Sequence, residues 1–337
     1  MDNNSFTSYA ISDRSFVAYA KREIHLWAGK CRFTASQLGE IDIIVSELCS
    51  NLVKHASGGE LLVRITPNTP DIDLFEILCI DRGKGFDDAS KMMRDGFSTT
   101  QTLGHGLGSL ARLSDSFQIF SKSGSGTILY ATKYSAPVVQ VGRRQFDIKA
   151  VCVPKQTESV CGDGYEVKMQ PGLLQILFGD GLGHGQPAYE VINEAREIFR
   201  STNEPNPAEM LRSLHAGLRK SRGAVCTVAT LNLKSNEWSI CGVGNIMTRL
   251  YDGITYKNYM SYNGVVGLNV PKVLMNSTPA AEKNQRLIMC SDGIRSGWDL
   301  SRYPGIFRYD NAIIAACIKR DFSRETDDTS VLLATII

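Results

Sequence analysis

No run of apolar residues in this 337-residue chain approaches the roughly 20 needed to cross a bilayer as a helix. The opening MDNNSFTSYAISDRSF is polar and contains no signal-peptide core. Neither charge sign dominates: Lys and Arg total 37 and Asp and Glu 35, leaving a net charge of +2. That balance gives no broad basic field, so neither nucleic acid nor an anionic membrane is expected as a partner. The nine cysteines form no CxxC pair and no disulfide framework. An odd count without framework spacing suits a reducing compartment, and a cytoplasmic location is expected. Cys49, Cys79, Cys152, Cys226, Cys241, Cys290 and Cys317 sit among apolar residues and read as small core fillers. Low-complexity segments are also missing. The chain instead has the 43% hydrophobic and 21% charged content of globular proteins, and enough length for two domains.

The two halves differ in pattern. In the first, residues 12 to 30 space their apolar positions helically, and Thr34 with Gln37 can cap a second helix that runs through IDIIVSELCSNLVKHA to about Ala56. ELLVRIT and LFEILCID read as strands around the turn-rich PNTPD. A glycine-rich, polar stretch from Arg82 to Gly108 leads into a helix at LGSLARLSDSF and strands at FQIFSK and GTILYATKY. This order predicts an α+β layer with helices on one face of a sheet. SAPVVQVGRR breaks the pattern, and the linker is placed at 136–145, between a domain at 1–135 and another at 146–337. The second half is dominated by short strands, with helices near 187–200, 207–221 and 310–320. That composition predicts two sheets packed face to face and flanked by helices.

Chemistry-bearing residues cluster in both halves. Glu47 and Asn51 in SELCSNLVKH stand four apart on one helix face, an arrangement that suits a base beside a metal ligand and equally an ordinary solvated pair. Asp81 in CIDRGKGF ends a strand just before Gly83 and Gly85, where a carboxylate can accept a hydrogen bond from a base amine, or simply make an Asp-Gly turn. In TLGHGLGS, Gly104, Gly106 and Gly108 open a helix whose free N–H groups can bind phosphate. In order and spacing these features resemble the Bergerat-type ATP-binding domain over residues 10 to 134, most closely its RsbT/RsbW serine-kinase branch. The resemblance implies an α/β sandwich that binds ATP with Mg²⁺. Glu47 would then act as the general base or hydroxyl positioner, Asn51 as the Mg²⁺ ligand and Asp81 as the acceptor for the adenine amine. Gly83, Gly85, Gly104, Gly106 and Gly108 would shape the pocket and phosphate loop, with Gly126 and Thr127 at the last nucleotide-box position. His105 departs from the glycine box and is given no chemistry. His25, in EIHLWAG, reads as structural.

The second half carries aspartates in strand-end or turn contexts: Asp163 in VCGDGYEV, Asp180 in LFGDGLGHG, Asp292 in LIMCSDGI, and Asp327 with Asp328 in RETDDTSVLL. Each alone is an ordinary turn. Converging, a set of carboxylates without paired His or Cys favours Mg²⁺ or Mn²⁺. GDGLGHG, KSRGAVCTVATL, CGVGN, SDGI and DDTS stand in the order of the SpoIIE/RsbX branch of the PP2C-type serine/threonine phosphatases, and the resemblance covers about residues 146 to 337. It implies a β-sandwich flanked by helices that holds two Mn²⁺ or Mg²⁺ ions. Asp180 would bridge them, assisted by the Gly181 carbonyl; Asp292 and Asp327 would complete the first site and Asp163 the second, with Asp328 in reserve should the register at DD be one off. Eukaryotic members carry a histidine two residues after the bridging aspartate. Here that position is Leu182, and His184 serves either the leaving group or the helix start. Arg222 and Asn245 fit phosphate-facing or ligand-supporting places.

Together the two resemblances imply a bifunctional partner-switching regulator. Its C-terminal domain would dephosphorylate, and its N-terminal domain phosphorylate with ATP, a serine or threonine on a STAS-domain antagonist protein, with a sigma factor or another switch protein affected indirectly. The alternative keeps the phosphatase and makes the N-terminal domain a nucleotide-binding regulator or partner-sequestering module without kinase activity.

Overall fold

Two side-chain caps set the helical layer of the N-terminal half. The Asp13 carboxylate accepts from the N–H groups of Ser15 and Phe16 and starts α1 (Arg14–Ala28). Thr34 and Gln37 bond reciprocally and start α2 (Ala35–His55). The computed structural model describes residues 4–56, 58–87, 106–138 and 145–337. In it α1, α2 and α3 (Gly106–Leu113) pack on a five-stranded sheet of β1 (Thr7–Ile11), β2 (Gly59–Thr69), β3 (Ile72–Ile80), β4 (Ser116–Lys122) and β5 (Gly126–Tyr134). The sheet order is β1-β2-β3-β5-β4, antiparallel throughout. Ile24, Ile44, Leu48, Leu52 and Leu110 meet Leu61, Val63, Phe75, Ile77, Cys79 and Leu129 in one apolar core.

Side chains alternate across a strand, so Leu62, Leu74, Leu78, Ile128, Tyr130 and Phe120 point to the opposite face. They are buried as well. β2 and β3 therefore read as nearly continuous apolar runs, the signature of a sheet covered on both sides. Part of the second cover comes from far along the chain. The Phe120 ring meets those of Tyr303 and Tyr309 edge-on, at 5.5 and 5.3 Å between centroids. Lys122 Nζ donates to the Arg302 carbonyl at 2.5 Å, and the Asp310 N–H donates to Gln118 Oε1 at 2.9 Å. The chain accordingly divides into two units. One joins Phe6–Arg143 to Leu300–Cys317; the other comprises Asp2–Ser5, Arg144–Asp299 and Ile318–Ile337. The helical layer matches the pattern read from sequence, whereas β1 and the returning 300–317 segment were not anticipated. Of the expected 136–145 linker, residues 139–144 lie outside the described residues.

The second unit is a sandwich of two antiparallel sheets. One has the order β10-β9-β8-β7, built from β7 (Asp163–Gln170), β8 (Leu173–Gly181), β9 (Ala224–Asn232) and β10 (Glu237–Val243). The other has the order β12-β11-β13-β14-β6, from β6 (Phe146–Val153), β11 (Met247–Tyr251), β12 (Tyr256–Tyr259), β13 (Arg286–Cys290) and β14 (Thr329–Ile336). Ile176, Phe178, Ala229 and Trp238 of the first sheet interdigitate with Leu250, Leu287, Met289 and Leu332 of the second. On the outer face of the first sheet, Leu177, Cys226, Val228 and Cys241 pack against Val191, Ile192 and Phe199 of α4 (Gln186–Ser201) and Met210 and Leu214 of α5 (Pro207–Gly217). The last helix, α6 (Asn311–Phe322), crosses the division between units after Cys317. All nine cysteines are free and all but Cys31 are buried, as core fillers should be.

Candidate functional site

Strand register assembles the carboxylates of the second unit. In the β7–β8 ladder Asp163 stands directly opposite Asp180. Asp292 follows β13 and Asp327 precedes β14, two paired strands tied at that end by the Ser291 N–H to the Ser330 carbonyl at 3.1 Å. Burial raises the Asp180 carboxyl well above the ordinary carboxylate range, and the negative fields of Asp163, Asp292, Asp327 and Asp328 raise it further. Asp163 is 2% exposed. Its carboxyl is pushed up to about 7 by burial first and the charge of Asp328 second, against the opposing pull of the Ser291 and Ser330 hydroxyls. Asp163 Oδ2 is buried without a hydrogen-bond partner. A carboxylate oxygen in that condition is stabilised by a proton or a cation. Among the described residues, no three His, Cys, Asp or Glu side chains close on a single point as placed. The fit to a hard divalent cation rests on the all-oxygen donor set and on that one orphaned atom.

The neighbouring residues hold these groups in position. The Asn245 amide donates to Asp292 Oδ2 at 3.0 Å. Asp328 accepts the N–H groups of Lys155 and Gly162 at 2.7 and 2.8 Å, so both its oxygens anchor the loop leading to Asp163. Asp327 is the more exposed of the two adjacent aspartates, and its Oδ1 accepts the Asp328 N–H. Asp328 is thus bonded through both oxygens to backbone outside its own segment, and Asp327 only to its neighbour's N–H. Gly181 leads from β8 toward α4; a Cβ there would lie 2.5 Å from the Ala188 carbonyl oxygen, so no larger residue fits beside Asp180. Arg222 donates to the Leu182 carbonyl at 3.0 Å and braces the glycine loop. His184 Nδ1 lies 2.7 Å from Glu158 Oε1. No motif marked Glu158, because its partner is 26 residues away and only the fold brings the two loops together.

The first unit gathers its residues at the end of β3. The Asp81 N–H donates to the Thr127 carbonyl at 2.9 Å, and Asp81 Oδ1 accepts the N–H groups of Gly83 and Thr127 at 2.7 and 3.1 Å. One carboxylate oxygen thus closes the turn after β3 onto the start of β5. Gly126 makes this approach possible: its φ is +78°, and a Cβ would fall 2.2 Å from the Asp81 carbonyl oxygen. Gly85 rests against the Lys122 carbonyl. On α2, Glu47 is placed so that a Cβ on Gly106 would sit 3.0 Å from its Oε2, putting the carboxylate at the start of α3. Asn51 follows one helical turn later and is half-buried. Gly108 is buried within α3. Gly104 and His105 lie outside the described residues. The structure therefore joins Asp81, Gly83 and Thr127 directly, and brings Glu47 to Gly106.

Comparison with known proteins follows the same division. The family model described as "Histidine kinase-like ATPase domain" matches residues 12–133, and the model described as "Stage II sporulation protein E (SpoIIE)" matches residues 170–302. The serine/threonine-protein kinase RsbT of Bacillus subtilis (strain 168) is 36% identical over 94 residues, 28% of this chain and 70% of the relative. The phosphoserine phosphatase RsbX of the same organism is 23% identical over 141 residues, 42% of this chain and 70% of the relative. A solved structure described as "The bacterial stressosome: a modular system that has been adapted to control secondary messenger signaling" shares the fold over 57% of this chain and 100% of its own, with a TM-score of 0.53 and 24% identity.

Proposed function

From a chain that belongs to the histidine kinase-like ATPases over residues 12–133 and to the SpoIIE family of PP2C-type serine phosphatases over residues 170–302, we propose a single-polypeptide partner switch acting on a STAS-domain antagonist protein. The second unit removes phosphate from a serine or threonine of that partner, and the first unit puts it there with ATP. The face-to-face pair Asp163 and Asp180, with an unbonded buried oxygen on one of them, carries the phosphatase half of this reading.

In that unit Asp163, Asp180, the Gly181 carbonyl, Asp292 and Asp327 would together hold two Mn²⁺ or Mg²⁺ ions. Such ions lower the pKa of a bound water and neutralise the phosphate. The rest of the work falls to the chain. Asn245 fixes the orientation of Asp292 through its amide, and Asp328 keeps the Asp163 loop closed through two backbone N–H groups. Arg222 holds the glycine loop that follows Asp180 through the Leu182 carbonyl. In the first unit Asp81, at the turn after β3, would accept the adenine amine. Backbone N–H groups at the start of α3 would meet phosphate, Asn51 would hold Mg²⁺, and Glu47 would orient the acceptor hydroxyl.

One experiment addresses both halves. Purified protein is supplied with Mn²⁺ and a phosphorylated STAS-domain partner, and separately with labelled ATP and the unphosphorylated partner. Wild type should release phosphate and stop on addition of chelator; Asp180→Ala should lose at least about 100-fold in kcat while keeping its fold. In the Asp180→Ala background label should accumulate on the partner, and adding Glu47→Ala should reduce it. Tight partner binding without label would instead make the first unit a nucleotide-binding or sequestering module.

A further inference from the structure

Between Asp292 and Asp327 the chain makes an excursion and comes back to where it left. Its two ends are stapled together within the second unit. The Arg295 N–H donates to the Phe322 carbonyl at 2.9 Å and the Arg324 N–H to the Gly293 carbonyl at 2.8 Å, with Ile294 and Ser323 bridged in antiparallel register between them. Arg249 holds the outgoing arm through the carbonyls of Ser296 and Trp298, both at 3.0 Å. On the returning arm Ser323 Oγ lies 3.1 Å from Thr329 Oγ1, which donates to the Asp327 carbonyl at 3.4 Å. A Cβ on Gly293 would fall 1.9 Å from the Asp328 carbonyl oxygen, so the two arms are in backbone contact beside the aspartates. The body of the excursion, Leu300–Cys317, belongs to the first unit. There Tyr303 and Tyr309 cover Phe120, the Arg302 carbonyl accepts from Lys122 Nζ, and the Asp310 N–H donates to Gln118. All these contacts fall on β4, whose far end is laced to the turn after Asp81. The Phe86 N–H donates to Ser121 Oγ at 2.9 Å, the Gly124 N–H to the Lys84 carbonyl at 2.7 Å and the Ser123 N–H to Asp87 Oδ1 at 3.0 Å. Gly85, with φ +59°, leaves no room for a Cβ against the Lys122 carbonyl. Close-packed contacts of this kind hold few voids to absorb a displacement and therefore transmit it.

We propose that this excursion couples the two sites, so that an adenine nucleotide bound at the Asp81 turn stimulates the phosphatase. The nucleotide steadies the turn and β4, β4 steadies 300–317, and the stapled neck at 293–298 and 322–324 steadies Asp292 and Asp327. The inference rests on both halves of the proposed function and adds a regulation that neither half has alone. Each ligand orders a segment that the other also needs ordered. Whichever binds second therefore loses less conformational entropy and binds more tightly. Coupling of this kind is reciprocal, and the carrier is a chain of packed and hydrogen-bonded groups continuous in the covalent backbone.

The test uses the full chain and ADP, with free Mn²⁺ fixed by a metal buffer so that chelation by the nucleotide does not count. Hydrolysis of p-nitrophenyl phosphate is followed against free Mn²⁺, and hydrogen exchange is read at the amides of 293–298 and 322–324. Saturating ADP should lower the free Mn²⁺ for half-maximal hydrolysis by about fivefold or more, and should slow exchange in the neck. Asp81→Asn should raise the ADP concentration needed for both effects, which assigns them to the nucleotide turn. Tyr303→Leu with Tyr309→Leu keeps an apolar cover and removes the ring contacts. That variant should hydrolyse as wild type does without ADP, bind ADP, and show neither effect. Should a thermal melt find it unfolded, Gln118→Ala, which removes only the acceptor of the Asp310 N–H, should reduce the shift. ADP bound in calorimetry with no change in Mn²⁺ dependence or exchange would overturn the coupling and leave both site readings standing. A shift undiminished in the variants would do the same. Absence of ADP binding would instead remove the nucleotide reading, and absence of hydrolysis the phosphatase reading, and with either this proposal.

Discussion

Asp163 holds a charge where the protein gives it little support. Burial and Asp328 bring its carboxyl to about 7. In the unfolded chain an aspartate titrates near 3.9. Below that both states are protonated and there is no penalty. As pH rises through about 7 the folded state must carry a buried charge, so stability of the chelated protein falls across that window. Asp163→Asn should therefore raise the melting temperature of chelated protein at neutral pH. The ceiling is a few kcal/mol, at roughly 1.4 kcal/mol per pKa unit, and the gain should fade toward pH 4. The same variant should lose phosphatase activity. Calorimetric melts with excess chelator at both pH values decide it; a melting temperature that falls equally at both would mean that Asp163 is not under this strain. Asp163 and Asp180 stood out in the sequence because each lies beside glycine at an end of a strand-like stretch, Asp163 at the start of β7 and Asp180 near the end of β8. Glu158 was not, since TESV carries no local pattern and its meaning comes from the loop across from it.

Among the elements, α2 was the easiest to read and β1 the hardest, for one reason. A capped helix declares itself through side chains three and four residues apart, whereas an edge strand is defined by a partner elsewhere. Thr34 and Gln37 close their box within one turn. TSYAI becomes a strand only because Thr7 to Ile11 pair with Val63 to Gly59, and only its last residue is buried. Glu47 and Asn51, proposed for the nucleotide site, lie well beyond the first turns of α2, so its start can be weakened without touching them. Thr34→Ala should cost about 1 kcal/mol. Hydrogen exchange should show faster opening of the first turns of α2, with nucleotide affinity unchanged. Unchanged protection would mean that packing of Ile41, Ile44 and Leu48 alone sets the stability of that end.

For the whole molecule, the pattern in the sequence suggested two consecutive domains, and the contacts show an interleaved chain. SRYPGIFRYD reads locally as a loop of the second half, yet Tyr303 and Tyr309 close over Phe120 in the first unit. Nothing within that decapeptide could announce a partner nearly two hundred residues earlier. Replacing both tyrosines by alanine should loosen the first unit by an amount on the order of 3 kcal/mol, the usual scale for truncating a buried aromatic. Exchange at β4 and β5 amides should report it. A pattern of protection identical to wild type would show that the ring contacts are dispensable.

The interleaving also fixes an order of events during synthesis. A ribosome completes Arg143 long before Leu300. At about 5 to 20 residues per second the intervening stretch takes roughly 10 to 30 s. Throughout that interval the nascent ATPase sheet has its helices but not its second cover, and Phe120 waits for rings that have yet to be made. The chain thus passes through an obligatory half-dressed stage, in which a chaperone, or a neighbouring copy on the same polysome, meets an apolar surface that the finished protein never shows.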